Sequence, residues 1–71
     1  MQVISQNRDY TFNFRNRDIK ILDNIISVVT NTGVHVIGIY TTSVRGQSVF
    51  NEMVSRNMKL GIDEIYYMPK E

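Results

Sequence analysis

Residues 34–53 read VHVIGIYTTSVRGQSVFNEM, and the fold turns on the change of rhythm inside them. From Val34 to Tyr40 the run is apolar and rich in β-branched residues, the pattern of a strand. Alternation places Val34, Val36, Gly38 and Tyr40 on one face and His35, Ile37 and Ile39 on the other. Both faces carry apolar residues, which predicts a strand that is central in its sheet or covered on one side by another subunit. From Thr42 or Ser43 the period lengthens. Val49, Phe50, Met53, Val54 and Asn57/Met58 then share one helical stripe, with Gln47, Asn51, Glu52, Ser55, Arg56 and Lys59 over much of the rest. A hydroxyl at the junction suits the N-cap, Glu52 and Arg56 form an i,i+4 pair, and Leu60-Gly61 makes a helix stop.

The same junction holds the residue types of a phosphate-binding corner: Thr42, Ser43, Arg45 and Gly46. It lacks the repeated glycines of a P-loop or dinucleotide loop. Capping accounts for the hydroxyls. Gly46 falls on the buried stripe, where a glycine costs about 1 kcal/mol of helix propensity and is kept for close packing. Gly38 is the expected facing gap, and Arg45 is left without a structural duty.

Upstream, Met1–Gln6 and Tyr10–Phe14 read as two strands around the polar turn Asn7-Arg8-Asp9. Tyr10, Phe12 and Phe14 alternate with Thr11 and Asn13 and so share a face. Arg15–Asp18 is a turn, and Ile19–Leu22 a short strand followed by a break or bulge at Asp23-Asn24. Asn24–Thr30 pairs with Val34–Tyr40 through Asn31-Thr32-Gly33, where glycine supplies the positive φ that a hairpin loop needs. Glu64–Met68 is a last strand, ended by Pro69. The order β-β-(β)-β-β-α-β predicts one α+β domain over 1–71. It has two layers: a mainly antiparallel sheet of four to five strands and one helix packed on one face. A helix of about four turns cannot cover both faces of such a sheet. The second face is solvated or used for association.

The opening VISQ (Val3–Gln6), the junction Tyr40–Ser43 with Arg45, Gly46 and Val49–Val54, and the ending Ile65–Pro69 with Glu71 resemble a family of short phage and prophage proteins of Gram-positive bacteria. Where that family often has an acidic first helical turn, this chain has Val44 and Arg45. The resemblance implies a small accessory protein of a mobile element, acting in the host cytoplasm. It suggests a non-enzymatic protein that binds a host factor, with defence inhibition as one such role.

Composition narrows the remaining chemistry. The chain has no cysteine, so neither disulfides nor thiolate metal sites support its small core, and a ligand or, as is common at this size, an oligomeric partner is the expected supplement. A net charge of +1 is no electrostatic footprint for a general nucleic-acid binder. The apolar stretches Ile25–Val29 and Val34–Tyr40 are too short to span a bilayer, and MQVISQNRDY is no signal sequence, which together predict a cytoplasmic protein without membrane attachment. The single histidine, His35, lies inside an apolar strand, and the adjacent Asp63 and Glu64 diverge. No catalytic residue, cofactor or metal site is expected.

Three binding readings remain. Tyr66 and Tyr67 point to opposite faces of the last strand, so one is core and the other an interface candidate for a homodimer or a host protein. A nucleotide or small-ligand module at a subunit junction would use Arg45. A weak RNA or single-stranded DNA binder would stack bases on Tyr10, Phe12 and Phe14, with Arg15 and Arg17 nearby. Packing of those aromatics in the core is the favoured alternative.

Overall fold

The computed structural model describes residues 1–59 and 64–71, the Asn16 side chain excepted. The helix stop at Leu60-Gly61 and the Asp63 carboxylate lie outside the described residues. The chain is an α+β protein with strands β1 (Gln2–Ile4), β2 (Thr11–Asn13), β3 (Asp18–Leu22), β4 (Ile25–Thr30), β5 (Gly33–Ile39) and β6 (Ile65–Tyr67), and one helix, α1 (Ser43–Lys59). Three of the four strand pairings are antiparallel, and β6 joins β1 in parallel.

The strands divide into two sheets of three, ordered β2-β1-β6 and β3-β4-β5, where one continuous sheet was expected. The division falls after β2. There Phe14–Asn16 forms a 3-10 turn, and the Asn13 side chain accepts the Arg15 N–H at 3.0 Å. The turn redirects the chain, and β3 starts a new sheet. The parallel β1–β6 pair needs a long crossover, and everything from β3 to α1 supplies it.

β5 is not central; β4 is. Nor does alternation run unbroken along β5. Ile26 pairs with Gly38 while Ser27 pairs with Val36, so Ile37 is an extra residue in a β-bulge. Ile37 and Gly38 are consequently both buried, and Ile39 turns outward, 57 % exposed against 3 % for Ile37. The break at Asp23-Asn24 is a two-residue hairpin turn between β3 and β4, with Asp23 at φ 58°. Gly33 takes φ 137° in the β4–β5 turn, as its position requires.

Thr42 is the cap of α1: its hydroxyl oxygen accepts the Arg45 N–H at 3.0 Å. The helix packs on the inner face of the second sheet, against β3 and β4. Gly46 is buried, as expected, but its neighbour is the β3–β4 turn. A Cβ there would stand 3.2 Å from the Asn24 Cα. Gly38 leaves room instead for the Met68 methyl and the Tyr40 ring. Val3, Phe12 and Tyr66 from the first sheet, Ile26, Val28 and Ile37 from the second, and Val49 and Met53 from the helix form one core. Among the described residues no helix is long and apolar enough to cross a membrane.

Candidate interaction surface

Several polar side chains, among them Arg8, Ser5, Gln6, Tyr40 and Arg45, are spent on the fold. Arg8 adopts φ 65° in the β1–β2 loop, and its Nη1 donates to the carbonyls of Ser5 (3.0 Å) and Met68 (2.7 Å). Ser5 is buried beneath it, donating to Asp9 at 2.8 Å and accepting the Tyr10 N–H at 3.1 Å. Gln6 donates to the Lys70 carbonyl at 2.9 Å, and the Tyr40 hydroxyl to that of Pro69 at 2.7 Å. Arg45 does have a structural duty: Nε and Nη2 donate to the Glu71 main-chain oxygen at 3.0 and 2.8 Å, with the guanidinium 6.0 Å from the Tyr40 ring. Arg8, Gln6, Tyr40 and Arg45 thus hold residues 68–71 from four separate points of the chain. A guanidinium committed in this way is not aimed at the amides of the first helical turn.

The aromatic trio is not an open stacking platform. Phe12 is buried, and Tyr10 and Phe14 pack partly against the core. Tyr10 stacks on the exposed His35, with ring centroids 4.6 Å apart. Arg15 and Arg17 are exposed beside this group. Among the described residues no cluster of three or more His, Cys, Asp or Glu side chains is placed to hold a metal ion.

The two tyrosines of β6 part as alternation requires. Tyr66 is 3 % exposed, and its hydroxyl donates to Glu52 at 2.6 Å while Arg56 sits 5.7 Å from its ring. Burial first, then the hydrogen bond to Glu52 and its negative charge, push the Tyr66 pKa well above the ordinary tyrosine range. Glu52 and Arg56, expected to meet each other on the helix surface, converge on this ring. Tyr67 is 57 % exposed on the outward face of β6, beside the exposed Ile65, with the Arg8 guanidinium 5.4 Å from its ring. β6 is also the terminal strand of its sheet, so this pair of apolar residues stands at an edge.

The larger apolar surface was not singled out from the sequence. Cross-strand partners share a face, and the register sets three rows across the outside of β3-β4-β5: Leu22–Ile25–Ile39, Lys20–Ser27–Val36 and Asp18–Val29–Val34. Six of these nine side chains are apolar, and Leu22, Val34, Val36 and Ile39 are exposed. The bulge creates the first row by turning Ile39 outward beside Ile25. A single bulge residue leaves no mark on the apolar pattern, so the sequence pointed toward this face only through the two-sided character of residues 34–40 and the sheet face that one helix leaves uncovered.

A shallow groove of about 480 Å³ runs along α1 beside Phe50, Val54 and Met58. No protein-family profile, curated protein or solved structure matches the chain.

Proposed function

We propose that this chain is a non-enzymatic interaction protein that acts by binding other proteins through the outward apolar faces of its sheets. The observation that carries the reading is the placement of six exposed large apolar side chains on the two sheets, two others, Val44 and Met58, being on α1. Ile65 and Tyr67 lie on the outside of one sheet, and Leu22, Val34, Val36 and Ile39 on the outside of the other. Contiguous exposed apolar surface of this kind marks association sites. Beside Tyr67, the Arg8 guanidinium is occupied with the Ser5 and Met68 carbonyls, so it offers little to a small charged ligand.

The resemblance of Val3–Gln6, Tyr40–Val54 and Ile65–Pro69 to short phage proteins supplies the setting: a mobile-element accessory in the host cytoplasm whose target is a host protein, as in defence inhibition. Tyr67, an exposed aromatic with a polar tip at a sheet edge, is the residue placed to anchor that contact. Purification of the tagged chain from a bacterial host is expected to enrich one host protein. Tyr67→Ala is expected to lose it while melting at the same temperature as the parent. Well-expressed protein that enriches nothing would overturn the reading.

A further inference from the structure

The outer face of β3-β4-β5 is close to a square grid, and its symmetry indicates what covers it. Its three rows span roughly 14 by 20 Å at ordinary strand and residue spacings. Two such faces pressed together, with the relief of their side chains, bury on the order of 1,000 Å², about the least that a specific interface needs. The charged groups on the grid are Asp18 and Lys20, both on β3 at one margin, so the face is neutral overall. Two copies can meet without net repulsion.

From this arrangement we infer that a second copy of this chain covers the face, related by a two-fold axis in the interface running parallel to the strands. This rests on the reading of the outward faces as protein-binding surfaces and names the partner of one of them. Such an axis lays β3 of each copy over β5 of the other, the aligned packing of two sheets about 10 Å apart. The all-apolar row then meets itself, with Leu22 over the second copy's Ile39 and Ile25 over its own equivalent. Lys20 falls over the second copy's Val36, and Asp18 over its Val34, both at one rim, with the second copy's pair at the other, so the charged heads reach water. An axis across the strands would instead set Lys20 against Lys20, a like-charge contact that disfavours it. The contact is isologous and closes on itself as a dimer.

The test uses opposite charges at two neighbouring positions. Val36→Lys faces the second copy's Lys20 and Val34→Glu its Asp18. Both are expected to halve the mass seen by sedimentation equilibrium from twice 8.3 kDa to 8.3 kDa, with the dissociation constant raised at least about tenfold. Val36→Glu and Val34→Lys face opposite charges and are expected to remain dimers. Both sites are exposed in the single chain, so circular dichroism should show the parent's fold in all four variants. The use of two positions keeps the test decisive if one variant folds poorly.

A parent that stays monomeric up to near-millimolar concentration overturns the proposal. A dimer indifferent to Val36→Lys and Val34→Glu overturns it too, because the contact then lies elsewhere. Dissociation by all four variants overturns the parallel axis. Tyr67→Ala, on the other sheet, is expected to leave the dimer intact. A monomer whose host-protein binding still depends on Tyr67 therefore removes the dimer alone.

Discussion

The side-chain amide of Gln6 brackets the backbone of Ile39: the Ile39 N–H donates to Oε1 at 2.7 Å, and Nε2 donates to the Ile39 carbonyl at 2.9 Å. The Gln6 backbone N–H donates to the Ile37 carbonyl at 2.9 Å. Gln6, two residues beyond β1, thus imitates a paired strand along the end of β5. It joins the two sheets and occupies backbone groups that an edge strand would leave open.

Replacing this glutamine should therefore loosen the joint. Gln6→Ala removes the two bonds to Ile39 and the one to Lys70. Hydrogen bonds of this kind are worth about 0.5–1.5 kcal/mol each, and the lower end applies at an accessible site, so a loss of about 2 kcal/mol is expected. Urea denaturation measures it. Hydrogen exchange at Ile39 should accelerate more than at Val28 in the middle of β4. Equal protection at both positions would count against the bridging role.

At Gly46 two effects compete. Alanine improves helix propensity by about 1 kcal/mol, but its Cβ would stand 3.2 Å from the Asn24 Cα and 3.4 Å from the Asp23 carbonyl oxygen. Both are backbone atoms of a two-residue turn, which cannot swing aside as a side chain can. Gly46→Ala is expected to lower stability by about 1 kcal/mol or more. Gln47→Ala, on the exposed side of the helix, should be near neutral. Thermal melts of the pair decide it, and a gain in stability for Gly46→Ala would show that the turn yields.

Alkaline pH should expose the Tyr66–Glu52 bond. The folded-state pKa of Tyr66 lies above its ordinary value near 10 because of burial and Glu52. The folded protein therefore holds this proton more tightly than the unfolded chain. That stabilisation is complete below pH 10 and is lost as pH rises above 10, where the unfolded chain releases the proton first. Tyr66→Phe should cost about 1 kcal/mol at neutral pH and flatten the alkaline decline. Part of the slope should remain, because burial raises Tyr40 as well. An unchanged slope in Tyr66→Phe would remove the bond as its cause.

The sequence by itself determined the local elements, since their causes are local. The period-two runs, the helical stripe from Val49, a hydroxyl cap at Thr42 or Ser43, the glycine at 33 and the buried glycine at 46 each depend on neighbours within a turn or a strand. Alternation alone also separated Tyr66 from Tyr67. Only the tertiary structure decided how the strands are shared between two sheets, that β6 lies parallel to β1, and that β5 carries a bulge. It also decided what Gln6, Arg8 and Arg45 do, because their partners at Ile39, Met68 and Glu71 stand 33, 60 and 26 residues away. A long polar side chain reads the same in a sequence whether it is solvated or bonded to a distant carbonyl, and which of these holds is settled when the core closes. The bulge at Ile37 is of the same kind: inserting one residue changes no local preference, yet it reverses every side chain beyond it and sets Ile39 in the outer apolar face.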